Sequence, residues 1–122
     1  MKCAHAGPRP SGGVAVNRVL DAASEIPTAP LDPTKIVQGA PLAGFRLLAE
    51  VGGAEVGVWE MTPGIATDVE VDEVFAVLSG SATVTFDDGE RVELVPGSIV
   101  RLRKHERTTW AVHATLRKLY VA

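Results

Sequence analysis

The sequence predicts an all-β domain, a sandwich or barrel of about eight short strands. Three observations carry this. From Phe45 onward the apolar residues recur with a period of two, and Gly, Pro and Asp turn signals interrupt them at roughly ten-residue intervals. The second half of the chain holds no apolar run at helical spacing.

Residues 1–13, MKCAHAGPRPSGG, have too little apolar surface to offset the entropy of ordering and read as a flexible tail. Cys3 and His5, two potential metal ligands, sit there, where nothing holds them together. Residues 14–44 form a proline-rich lead-in. Its first part, VAVNRVLDAASEI (14–26), suggests a strand followed by a short turn or helix. Pro27, Pro30 and Pro33 then forbid a long helix and force extended chain, expected to lie across the outside of a sheet.

The barrel proper is expected over 45–122. Phe45, Leu47, Ala49 and Val51 alternate with Arg46, Leu48 and Glu50, and Gly52-Gly53 marks a hairpin before EVGVWEM (55–61). After the Pro63-Gly64 turn and an acidic run, VFAVLSG (74–80) is apolar on both parities, so both of its faces need cover. ATVTF (82–86), the Asp87-Asp88-Gly89 turn, RVELV (91–95), the Pro96-Gly97 turn, SIVRLR (98–103), TTWAVH (108–113) and TLRKLYV (115–121) complete the set.

Composition narrows the function classes. A chain of 122 residues that is 46% hydrophobic supports one domain with its own core. A net charge of −3 with scattered lysines and arginines does not suggest a nucleic-acid surface, and the one basic cluster, Arg101, Arg103, Lys104 and Arg107, reads as a solvated strand end or a small anion contact. A single cysteine excludes an internal disulfide framework and fits a reducing cytoplasm. No secretory apolar region follows Lys2, and no run approaches the roughly 18 apolar residues of a membrane helix. The expectation is a cytoplasmic protein without membrane or nucleic-acid partners.

The succession Pro63-Gly64, Asp72-Glu73, VLSG (77–80), Asp87-Asp88-Gly89, Pro96-Gly97-Ser98, Thr109-Trp110 and LRKLYV (116–121) resembles the cupin superfamily over about residues 31–122. Within it, the match is closest to the small stand-alone cupins related to ureidoglycine aminohydrolase. The resemblance implies a double-stranded β-helix, or jelly-roll barrel, with a pocket inside and a homodimeric assembly. It also implies a first metal motif ending in a glutamate six residues before a glycine, which Glu73 and Gly80 satisfy. Counted from Gly64, the two histidines of that motif fall on Glu70 and Asp72; counted from Gly97, the histidine of the second motif falls on Thr108 and a motif glycine on His105. No histidine stands at a ligand position, and carboxylates suit hard ions better than transition metals. The expectation is no resident cofactor, a weakly held divalent metal being the alternative.

The resemblance turns Glu73, with Phe75 and Val77, toward the barrel interior. A carboxylate there needs hydrogen bonds or a cation. Lys118, which shares its parity with Leu116 and Tyr120, is the internal candidate. Such a pair is either plain charge compensation or a poised acid and base. Thr108 and Trp110 take the inward parity of their strand and, with Phe75 and Tyr120, are the expected ligand contacts. Trp59 and Glu60 lie on opposite faces, so at most one enters the pocket; Glu60, if it enters, makes a two-carboxylate site with Glu73. His105, in a turn at the barrel mouth, is the third candidate catalytic group, while His113 falls on the parity opposite Trp110. Asp68, Glu70 and Asp72 are expected to form a solvated rim. The reading is a barrel that binds a small polar metabolite. The alternative is a small-molecule enzyme of hydrolase, isomerase or lyase type using Glu73 and Lys118, and a purely structural module is the third possibility.

Overall fold

The period-two pattern folds into nine strands over residues 18–122, the part of the chain that the computed structural model describes. The expected tail, with Cys3 and His5, lies outside the described residues. The strands are β1 (Ala29–Pro30), β2 (Ile36–Gln38), β3 (Leu42–Val51), β4 (Ala54–Met61), β5 (Gly64–Val69), β6 (Glu73–Phe86), β7 (Arg91–Leu94), β8 (Ile99–Leu102) and β9 (Arg107–Val121). They form one curled sheet in the order β1-β3-β4-β9-β5-β2, and β6 pairs with β7, β8 and β9. The first half of β9 pairs with β5 and the second half with β4, while β6 runs antiparallel along both halves. This is a jelly-roll barrel.

Two pairs of expected strands are fused. Residues 74–80 and 82–86 are one strand, as are 108–113 and 115–121. Gly80 explains why a turn signal becomes a bend. It has φ +87°, it lies inside a register shift between Ser79 and Ala82, and a Cβ there would overlap the carbonyls of Thr115 and Ala114. Glycine thus lets β6 bulge and bend against β9 without breaking the ladder.

One strand, β5, departs from the expected turn and acidic rim. Its inward parity carries Ala66, Asp68 and, just past its end, Glu70, all buried, while Val69 on the other parity is exposed. The apolar alternation is inverted because this strand turns carboxylates inward. The acids therefore do not form a solvated rim: Asp68 and Glu70 are inside and Asp72 alone remains exposed. The chain reverses its parity between the end of β5 and the start of β6, so Glu73 faces inward as well.

Residues 18–26 form neither strand nor helix. Their backbone is engaged by side chains instead. Arg46 donates to the carbonyls of Glu25 (2.6 Å) and Asp21 (3.0 Å), and Arg117 donates to those of Ala22 (2.9 Å) and Ser24 (2.7 Å). The lead-in is thereby strapped over the outer face of β3, β4 and β9. Ile26 and Val58 are buried there, apart from the main core. Gly44 makes room for the strap, since a Cβ at that position would run into the Pro27 carbonyl. On β6, β8 and the end of β9, Val74, Leu78, Ile99 and Val121 stay exposed. No helix among the described residues is long and apolar enough to cross a membrane.

Candidate functional site: a buried ion pair beneath a cavity

The barrel interior is apolar except for a few charges. Cross-strand pairing sets Phe45 beside Trp59, Trp59 beside Lys118, and Lys118 beside Val77, a row across β3, β4, β9 and β6. Phe75 is opposite Tyr120 and Glu73 opposite Leu102. In this frame the Lys118 ammonium donates to the Glu73 carboxylate, and both side chains are 0% exposed. Three rings enclose the ammonium: its nitrogen is 5.0 Å from the centroid of Trp59, 4.5 Å from Phe75 and 5.2 Å from Trp110. Trp110 is tilted against both partners, at 5.8 Å from Trp59 and 5.7 Å from Phe75. Burial makes each charge costly, and the ion pair and ring faces together offset that cost.

Beside this box lies a hydrogen-bonded triplet. Glu70 accepts from the Thr108 hydroxyl (2.6 Å) and from the Trp110 indole (3.0 Å). Trp110 therefore belongs to both arrangements. Toward the barrel mouth, a cavity of about 540 Å³ opens between the lead-in and the sheet, lined by Pro27, Leu31, Asp32, Lys35, Phe45, Trp59 and Asp68 among others. The Lys35 ammonium reaches Asp68 at 3.2 Å, and Asp68 also accepts from the Val69 amide at 2.9 Å.

The structure brings together Glu73, Lys118, Phe75, Trp110 and Thr108. Tyr120 is buried beside them, in a space that exists because position 57 is glycine: a Cβ on Gly57 would overlap the tyrosine hydroxyl. Two expected site residues lie elsewhere. Of the adjacent pair, Trp59 enters and Glu60 takes the outer face, where it accepts from Arg117 at 3.1 and 2.9 Å, so no two-carboxylate site with Glu73 forms. His105 is exposed in the turn before β9, with φ +77°. That is a left-handed backbone uncommon for a residue with a Cβ, and it stands where the cupin motif carries glycine. Its amide donates to the Glu70 carbonyl at 2.9 Å, so its backbone supports the site while its ring faces solvent. Asp68, Glu70 and Trp59 escape a reading by strand parity because the first sits on the inverted strand, the second just past its end, and the third competes with Glu60.

The model of the EutQ-like cupin domain matches residues 48–120. The chain belongs to the EutQ-like cupin family. No curated protein matches it. A protein of unknown function from Pseudomonas syringae pv. tomato has a TM-score of 0.73 at 20% identity, over 84% of this chain and 46% of its own. The EutQ protein of Clostridium difficile has a TM-score of 0.60 at 20% identity, over 75% of this chain and 73% of its own. A protein of unknown function from Rhizobium leguminosarum has a TM-score of 0.60 at 29% identity, over 65% and 78%. The chain thus spans under half the length of the Pseudomonas syringae protein, and likenesses at 20% identity speak to the fold alone.

The cupin fold implies a metal, whose expected ligand positions here carry Glu70, Asp72, Glu73 and Thr108. Glu70 and Thr108 do converge, but as a carboxylate and a hydroxyl bonded to each other, while Asp72 points outward to Arg101 (3.3 Å). Glu73 is committed to Lys118. No three His, Cys, Asp or Glu side chains among the described residues are grouped to hold a metal ion. This donor set does not fit a transition metal.

Proposed function

We propose that this cupin binds a small polar metabolite in the cavity beneath the lead-in, with the buried Glu73–Lys118 pair behind Trp59, one wall of the site. One observation carries the reading. Trp59 is at once a wall of the 540 Å³ cavity and one side of the aromatic box around Lys118. A molecule that presses on Trp59 from the cavity thereby acts on the buried pair. Cavities of this size with apolar walls and a few convergent charges are the usual form of small-molecule sites. Within the superfamily, the order of the turns favours kinship with the ureidoglycine aminohydrolase-like cupins, and the single cysteine favours the cytoplasm.

The test is a thermal-shift screen of small polar metabolites on the wild type and on Glu73→Gln, which keeps the shape and removes the charge. A metabolite that raises the melting temperature of the wild type and leaves Glu73→Gln unmoved supports the reading. One that stabilises both equally places the binding away from the pair and refutes it. Elemental analysis is expected to find no stoichiometric Mn, Fe, Ni or Zn.

A second reading, an enzyme of hydrolase, isomerase or lyase type, is favoured by the contact between Lys118 and Glu73 in a dry site, a donor and acceptor poised for proton transfer. Conversion of the bound metabolite, followed by NMR, distinguishes it from binding alone. The apolar strip Val74, Leu78, Ile99 and Val121 is the surface through which we place a second copy of the chain. Light scattering at micromolar concentration should give the mass of a dimer, and a monomer mass refutes that assembly.

A further inference from the structure

We infer that the turn carrying Arg103, Lys104 and His105 is a docking surface for a short acidic segment of another protein, recognised through two or three neighbouring carboxylates. The turn joins β8 to β9, and none of its residues lines the cavity.

The backbone of the turn is fully committed. The Arg103 amide donates to the Glu106 carboxylate (2.5 Å), the Lys104 amide to that of Asp72 (3.1 Å), the His105 amide to the Glu70 carbonyl (2.9 Å) and the Glu106 amide to the Arg103 carbonyl (3.1 Å). The two neighbouring acids thus hold the shape of the turn, and Asp72 is further engaged by Arg101 at 3.3 Å. Arg103, Lys104 and His105 stay exposed, and no carboxylate among the described residues forms an ion pair with their side chains. His105 supplies a second observation. Its left-handed backbone, φ +77°, costs free energy that a glycine avoids, and no hydrogen bond of its ring to a described residue offsets that cost. An imidazole is therefore held under strain at the tip of a rigid cationic turn, which points to a use of that side chain outside the fold.

The chemistry of the turn selects the partner. With all four amides engaged, it offers no backbone nest, the usual cradle of a phosphate. A nucleic acid needs a broad basic field, whereas the next cation, Arg107, shares a hollow with Asp87, Asp88 and Glu106, which repel a phosphate backbone. Side-chain donors on three consecutive exposed residues suit carboxylates carried along a peptide instead, and such charge complementarity governs encounter and specificity.

Fluorescence anisotropy on the full chain at low salt tests this with labelled hexaglutamate, set against labelled hexaglutamine and a labelled single-stranded DNA hexamer. Hexaglutamate should bind, hexaglutamine should not, and the DNA should bind more weakly than hexaglutamate. Arg103→Gln and Lys104→Gln should each weaken hexaglutamate binding about two- to fivefold, the worth of an exposed ion pair. Arg91→Gln, which removes an exposed cation on β7, should leave it unchanged. His105→Gly should weaken binding by a similar factor and raise the melting temperature by a few degrees as the strain is relieved. A histidine with a merely structural role would not couple lost binding to gained stability. If hexaglutamate does not bind at millimolar concentration, if the DNA binds as tightly, or if Arg91→Gln weakens binding as much as Arg103→Gln does, the inference fails. A His105→Gly variant that is less stable than the wild type, or that binds hexaglutamate undiminished, overturns it as well.

Discussion

Replacing Lys118 with Met removes the ammonium from the centre of the barrel and keeps a side chain of similar length among Trp59, Phe75 and Trp110. Glu73, fully buried, then loses the ammonium that donates to it. Removing one member of a buried pair costs about 3–5 kcal/mol. The expected loss is a large part of the roughly 5–15 kcal/mol typical of a domain. Urea denaturation at pH 7 measures this, and Glu73→Leu combined with Lys118→Met should recover most of the loss, because a well-packed apolar replacement of a buried pair is close to neutral. A Lys118→Met loss below about 1 kcal/mol would show that water reaches Glu73 and that the pair is not the closed centre described above.

Two further perturbations address the strap and the acidic segment. Gly44→Ala should cost about 1–3 kcal/mol, the usual range for overpacking, because its methyl group meets the Pro27 carbonyl. It should also speed proteolytic cleavage between residues 18 and 30; a variant as stable and as resistant as the wild type would mean that the lead-in does not hold its position in solution. Asp72 is held below the usual aspartate range chiefly by the Lys104 amide, with Arg101 adding to it. A depressed folded-state value stabilises above the unfolded value and is lost as pH falls through the folded one. Asp72→Asn should therefore be less stable than the wild type at pH 6, with the difference shrinking as acid titrates the carboxylate below the usual aspartate range; a difference that stays constant through the acid titration would assign the effect to shape rather than charge.

The fold class was legible in the chain's pattern, because period two and the Gly and Pro turns are local properties that survive without knowledge of any partner strand. The inward turn of Glu73 came from the resemblance to cupins, because VFAVLSG is apolar on both parities, and that of Lys118 depended on Leu116 and Tyr120 facing the interior; both side chains are buried in the folded chain. Tertiary structure alone decided the rest. Whether Trp59 or Glu60 turns inward depends on which face of β4 meets the strap, a long-range fact that the alternation EVGVWEM leaves open. Gly80 reads as a turn until β9 is seen to run beneath it, and only the close approach of Thr115 makes it a bend. The acidic run reads as a solvated rim because apolar residues are expected inside. On β5 the relation is inverted: Asp68 is held by Lys35 from the lead-in, and just past the strand Glu70 is held by Thr108 and Trp110 from the other end of the barrel. Burying a carboxylate is tolerable only with donors brought from distant parts of the chain, and no pattern within a single strand carries that information.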